Sequence, residues 1–216
     1  MLSWFKRLGD IPGIEYTPPV EVDRESLPRH DAVPRQTRTA LFDGRQFDRL
    51  TWESEEVDEH GIGTSGRSPA QDHAWAADRE DLTSEALLAQ LWEALELPGE
   101  PSDYHFAMQS AAGLLWRRKR QEPEAIRWCE YLYLFDVRLI EVCPEALANE
   151  FAAGDETQDP FYQASAFHSL PTLYEREGFL GEALRIAEIG VRFGQGEEWV
   201  GALKERIAAV RAEDGA

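Results

Sequence analysis

The sequence predicts an all-α fold of antiparallel helical hairpins closed by a terminal capping helix and preceded by an extended, largely irregular N-terminal region. Three observations carry that expectation. From residue 82 onward apolar residues recur at helical spacing, segment after segment. Each of those segments is bounded by capping or breaking residues. Before residue 82 the pattern is different, with Pro12, Pro18, Pro19, Pro28 and Pro34 scattered through residues 9–38 and no sustained period. An amphipathic helix buries a stripe of side chains three and four apart, whereas proline interrupts a helix and cannot donate to a sheet ladder. Residues 1–81 are therefore expected as an extended, Pro-rich and then acidic region, and residues 82–216 as the helical domain.

Within the first region, Leu2, Trp4, Phe5 and Leu8 could form one apolar turn with Lys6 and Arg7 opposite. That turn reads either as a docking peptide or as a tail that packs on its own domain. It has no apolar core segment or small-residue cleavage site of a secretory leader, and no apolar run reaches the length of a membrane span, so a cytoplasmic protein is expected. Residues 39–52, TALFDGRQFDRLTW, are expected as a short β-hairpin because Asp43-Gly44 is a two-residue turn signal between partly aromatic flanks. Residues 53–81 are acidic, Gly-rich and poor in apolar positions and are expected as loop or disorder.

The helices follow in order. Thr83 can cap a helix whose Leu87, Leu88, Leu91, Trp92 and Leu95 share a stripe, and Pro98-Gly99 ends it. Ser102 is the expected cap of the next, which runs to about Lys119 with Tyr104, Met108, Ala111, Ala112, Leu115 and Trp116 inward. A third begins near Pro123, carries Ile126, Cys129, Leu132, Tyr133 and Val137, and ends near Cys143. Pro144 opens a short helix closed by Gly154, and a loop at Asp155–Asp159 precedes a hairpin over residues 167–194. A last helix, 197–212, aligns Trp199, Leu203, Ile207 and Val210. On the third helix Cys129 and Cys143 would stand about 21 Å apart at ~1.5 Å per residue, too far for a disulfide.

The net charge of −19 is uneven: residues 1–42 are neutral, 43–103 carry −12, and 104–216 carry −7. Lysines number three against 19 arginines. So acidic a chain is unsuited to a nucleic-acid backbone, whose binding needs Lys and Arg to neutralise phosphates; it suits solubility or a basic partner.

Motifs for chemistry are sparse. GIGTSG, Gly61–Gly66, has the spacing of a dinucleotide-binding turn, but the acidic ESEEVDEH precedes it and Ser68-Pro69 follows. Such a turn needs a strand before it and a helix after it to aim backbone N–H groups at phosphate. None of His30, His60, His73, His105 and His168 forms a zinc-binding pattern with the cysteines. No nucleophile elbow or triad is recognisable, so no catalytic, cofactor or metal residue is assigned. His105 and His168, on the first helix of each expected hairpin, either face a shared groove or sit as ordinary core or surface residues. The basic run Arg117, Arg118, Lys119 and Arg120 falls at a helix C-terminus, where cations complement the exposed carbonyls. It could also clamp a partner's carboxylates or pair with the acidic segment 53–59.

Phe167, Leu170, Pro171, Tyr174, Gly178, Phe179, Ala183, Ala187 and Gly190 stand at the packing spacings of a tetratricopeptide (TPR) repeat, and the hairpin they form resembles one. Sliding back 58 residues aligns Ala183 with Ala125 and brings Gly113 and Trp116 into the small and aromatic positions of the first helix. The family's spacing is about 34 residues, so the first hairpin is expected to carry extra chain. Pro171 also falls where the family's helix is uninterrupted, implying a kink or a helix capped by Ser169. The resemblance covers about residues 103–194. It implies a non-enzymatic protein- or peptide-binding module, with Arg117, Arg118, Arg120, His105 and His168 as candidate partner contacts. The charge leaves a second expectation open: an acidic inhibitor or immunity-type protein that covers a basic partner through residues 43–103.

Overall fold

In the computed structural model, residues 36–42, 45–51, 67–75, 81–148 and 161–214 are described. Strands β1 (Gln36–Phe42) and β2 (Arg45–Thr51) pair antiparallel with Phe42 opposite Arg45, which leaves Asp43-Gly44 as the two connecting residues. The hairpin expected at 39–52 is thus present and starts three residues earlier. The described helices are α1 (Pro69–Trp75), α2 (Ser84–Glu96), α3 (Pro101–Arg118), α4 (Ala125–Val142), α5 (Ala166–Glu177), α6 (Leu180–Val191) and α7 (Glu197–Asp214). From α1 onward the architecture is all-α.

Local chemistry sets the helix ends. Thr83 caps α2 as expected, its Oγ1 accepting from the Ala86 amide at 3.2 Å. The cap expected at Ser102 is Glu100 instead. Pro101 occupies the first turn, where its missing N–H costs nothing, and Asp103 Oδ2 accepts from the Glu100 amide at 2.8 Å and from Ser68 Oγ at 2.7 Å. Ser68 in turn accepts from the Gln71 amide and so begins α1. Gly178, at φ +86°, ends α5 with the paired bonds of a Schellman turn: Phe179 N–H to Tyr174 C=O at 2.8 Å and Gly178 N–H to Glu175 C=O at 3.3 Å. Pro171 lies inside α5, which is one helix from Ala166 and is not restarted at Ser169.

Three expectations are corrected. Residues 53–81 are not all loop: α1 forms there and buries Ala70 and Ala74 against α2 and α3. Gly113 is not a close-contact residue, since a Cβ built on it meets nothing within 4 Å. Gly190 has that role, because its Cβ would lie 2.9 Å from the Gln195 carbonyl oxygen and 3.1 Å from Phe167 Cγ. Pro144 opens a 3-10 turn, Pro144–Leu147, rather than an α-helix; the helix end expected at Gly154, the loop 155–159, the segment 1–8, GIGTSG and the acidic run 53–59 lie outside the described residues.

Contacts between helices fix their directions. His105 meets Asp136 and Ala112 meets Cys129, so seven residues forward on α3 correspond to seven back on α4: the pair is antiparallel. Tyr174 reaches Glu130 while Ser169 bonds Tyr133, which makes α5 antiparallel to α4. Arg118 with Ser84, and Tyr104 with Leu97, do the same for α2 and α3. Alternate helices then run together. Gln109 of α3 and Ser165 at the head of α5 are 56 residues apart, as are Phe106 and Tyr162; Glu175 of α5 and Arg206 of α7 are 31 apart, as are His168 and Trp199. Glu141 of α4 bonds Arg192 just past α6. The result is two layers, α3, α5 and α7 in one and α2, α4 and α6 in the other. The first interval is the longer because α3 and α4 have 18 residues each against 12 in α5 and α6, with the 3-10 turn added.

Apolar side chains fill the space between layers: Leu87, Leu91, Met108, Leu115, Leu132, Ile140, Phe167, Leu170, Tyr174 and Ile186 are all essentially inaccessible. Ala125 and Ala183, the predicted close-contact alanines, are buried as well. Gln195 ties the last turn to the stack, accepting from the Ala164 amide at 2.9 Å and donating to the Tyr162 carbonyl at 3.0 Å. Cys129 and Cys143 are free and buried, the first donating to the Ala112 carbonyl.

Candidate interaction surface

Polar groups and exposed aromatics both concentrate on α4, on different faces. Its inward face carries Glu130, Tyr133 and Asp136 at helical spacing, and each meets a different neighbour. His105 Nδ1 and Asp136 Oδ1 are hydrogen-bonded at 2.7 Å with both side chains 0% exposed. Burial holds the Asp136 carboxyl above the usual carboxylate range, with His105 pulling the other way. Tyr174 donates to Glu130 Oε1 at 2.7 Å; burial pushes the Glu130 carboxyl up to about 8, the Tyr174 bond opposes that rise, and the nearby Glu182 adds to it. Glu182 is buried and paired with Arg185 Nε at 3.0 Å. Burial likewise pushes the Cys129 thiol up to about 12. Among the described residues no group of three His, Cys, Asp or Glu side chains is placed to hold a metal ion.

The sequence-derived candidates separate in space. His105 is enclosed between α3 and α4 and touches Phe106 and Asp136, so the expectation that it contacts a partner is corrected. Met108 and Ala112, three and seven residues on, share its buried stripe of α3. Asp136 bonds its Nδ1, and its Nε2 is buried without a hydrogen-bond partner. His168 is exposed on α5, its ring edge-on to Trp199 of α7 at 5.5 Å. Arg118 spans from the end of α3 to Ser84 Oγ at the start of α2, at 3.2 Å. Lys119 folds back over Trp116, its Nζ 3.9 Å from the ring centroid and 3.1 Å from the Trp116 carbonyl. Arg117 and Arg120 are exposed. The basic run is thus partly engaged in holding the helix end.

The outward face of α4 was not singled out by the sequence. Trp128, Tyr131 and Phe135 stand there at i, i+3 and i+7 and continue onto Trp92 of α2. The rings form one ladder of edge and tilted contacts: Trp92 to Tyr131 at 6.0 Å, Trp128 to Tyr131 at 6.2 Å, and Tyr131 to Phe135 at 6.5 Å. Trp128 is 37% and Tyr131 38% exposed, far from the near-zero values of the core. Protein-family models, curated proteins and solved structures were compared with the chain. None matches.

A cleft of about 360 Å³ lies between α6 and α7. Leu184, Ile207 and Ala208 line it, and the Glu188–Lys204 ion pair at 2.9 Å crosses its rim. Among the described residues no helix is long and apolar enough to cross a membrane.

Proposed function

We propose that this protein is a non-enzymatic interaction module whose stacked helices present the α2/α4 aromatic ladder to another protein. The carrying observation is the exposure of Trp128 and Tyr131 within a continuous four-ring surface on two rigid helices. Large aromatics dominate binding energy at protein interfaces because they bury much area at a small entropy cost, and scaffold helices hold them in place beforehand. A TPR-like reading is supported by the alternation of parallel layers and by the 31-residue spacing of α5 and α7, near the roughly 34 residues of that family. Arg117, Arg120 and His168 are exposed on the first-layer helices or their ends and remain candidate partner contacts.

The test pairs Trp128→Ser with Tyr131→Ser in the full chain. Chemical cross-linking followed by mass spectrometry in the native cell is expected to lose its main protein adduct, with an unchanged far-ultraviolet spectrum. An identical adduct set in both proteins would remove the ladder from the account.

One observation favours the acidic-inhibitor reading: α2 carries Glu85, Glu93 and Glu96, all exposed, and no Lys or Arg. In that case affinity for a basic partner falls steeply between 50 and 500 mM salt on an order-of-magnitude scale; ladder-driven binding changes little.

A further inference from the structure

From the charged edges of the ladder we infer that its occupant is an amphipathic helix of a partner protein, with an apolar row flanked by Lys or Arg on one side and by Asp or Glu on the other. This rests on the reading of that face as the interaction surface and gives the chemistry of what covers it.

Helix position fixes the two edges. Helices α2 and α4 are each antiparallel to α3, so they run parallel. On a helix, positions four and seven residues away stay on one side. Glu85 and Glu96 lie seven before and four after Trp92, and both are exposed. They fall on the opposite side of Trp92 from the buried Leu88 and Leu91. Arg127 and Arg138 lie four before and seven after Tyr131, the first exposed and the second 40% exposed while it bonds Glu141. Glu141, on their side of the helix, reaches Arg192 just past α6. These arginines therefore border the ladder away from α2, whereas Trp128 and Phe135 lie toward it. The four rings are held between an acidic edge and a basic edge.

Main-chain chemistry selects a helix as the occupant. An added strand draws its affinity from bonds to a sheet edge, and this face consists of helices whose backbone groups bond internally. A strand or a polyproline segment laid on the rings turns part of its backbone polar groups toward apolar surface, where they find no partner. A helix keeps those bonds inside itself and offers only side chains. The spacing agrees. Glu85 to Glu96 and Arg127 to Arg138 are each 11 residues, about 16.5 Å at ~1.5 Å per residue. A helix lying nearly parallel in the seam repeats its side chains at that same interval, so its flanks stay beside the edges over three turns.

The opposed edges also set direction. Turning a helix end for end on this face exchanges its flanks, so one direction alone places bases on Glu85 and Glu96 and acids on Arg127 and Arg138. A segment with both charges is near neutral, and at ~0.15 M salt the Debye length of about 8 Å screens it from most of the net −19. Three turns of helix bury less than a standard interface, which fits a dissociation constant on roughly the micromolar scale.

The test is fluorescence anisotropy of labelled peptides, each ~18 residues long, titrated with the full chain. The first peptide has a leucine row with arginines on one flank and glutamates on the other. The second has the same composition in an order that forms no row, and the third has glutamates on both flanks. The first is expected to bind on roughly the micromolar scale and the second ~10-fold more weakly or worse. Glu85→Lys with Glu96→Lys is expected to weaken the first ~10-fold or more and to tighten the third, because both edges are then basic. That gain also shows that the variant has kept its fold. Arg127→Glu with Arg138→Glu weakens the first and leaves the third no tighter. No binding of the first peptide, equal binding of the first two, or indifference to both pairs of reversals overturns the inference. If it is overturned yet the Trp128→Ser/Tyr131→Ser protein loses its foreign adduct, the helix is wrong and the interaction surface stands. If the adduct set is unchanged as well, both fall.

Discussion

Tyr174 of α5 donates its phenolic hydrogen to Glu130 of α4 at 2.7 Å, in a place that water does not reach. The carboxyl's titration, pushed up to about 8, makes this bond a pH-sensitive joint between the two hairpins. In the unfolded chain Glu130 titrates near 4.5, so between pH ~4.5 and ~8 the folded state holds the extra proton. Stability from this group is complete below the lower value and declines as pH rises through the higher one. Glu130→Gln keeps an acceptor for Tyr174 without a charge. Urea unfolding is expected to show it more stable than the parent at pH 9, on the order of a few kcal/mol, and little different at pH 4. An unchanged pH slope would show that Glu130 ionises freely in the fold.

The His105–Asp136 pair joins α3 to α4 with neither side chain exposed. Truncating one member leaves the other buried without its partner, which costs about 3–5 kcal/mol, whereas replacing both by apolar residues costs far less. His105→Leu alone is expected to destabilise more than His105→Leu with Asp136→Leu. A double-mutant cycle by chemical denaturation checks this, and additive effects would contradict a coupled pair.

Two glycines on first- and second-layer helices separate close packing from open surface. Gly190→Ala forces a Cβ to 2.9 Å from a backbone oxygen, and a loss of about 1–3 kcal/mol is expected. Gly113→Ala meets nothing and is expected to gain about 0.5–1 kcal/mol from helix propensity. Thermal unfolding of both variants reads the sign directly.

Both cysteines are buried, and Cys129, pushed up to about 12, is not ionised near neutral pH. A thiol reagent such as dithionitrobenzoate is expected to label neither in the folded chain at pH 8 and both in denaturant. Rapid labelling of Cys129 in the native protein would contradict the packing of α4 on α3.

Helix positions were legible where capping and periodicity agree. Thr83, Pro98-Gly99 and Gly178 mark ends by local chemistry, and the leucine stripe of α2 needs no knowledge of its partner. Helix α1 escaped because its seven residues bury only Ala70 and Ala74, and small residues in an acidic stretch give no apolar stripe. Gly113 misled because a glycine at family spacing says nothing of what lies opposite; the close approach is at Gly190. Glu130 and Asp136 look like solvated positions in sequence, and only Tyr174 and His105, 44 and 31 residues away, explain their burial. The aromatic ladder did leave a signal. Trp128, Tyr131 and Phe135 keep helical spacing beside the buried Cys129–Leu132–Tyr133 stripe, and together they make the apolar arc of α4 too wide for one contact. Only the fold shows that Trp92 continues it.

The α2/α4 ladder is proposed as a surface that another polypeptide covers. The most direct measurement places the photo-reactive residue benzoylphenylalanine at position 131, and separately at the exposed position 205 of α7, in the full chain inside its own cells. Irradiation is expected to give a discrete protein adduct through position 131 and none through 205. Adducts through 205 alone, or none through 131 at any expression level, would contradict it.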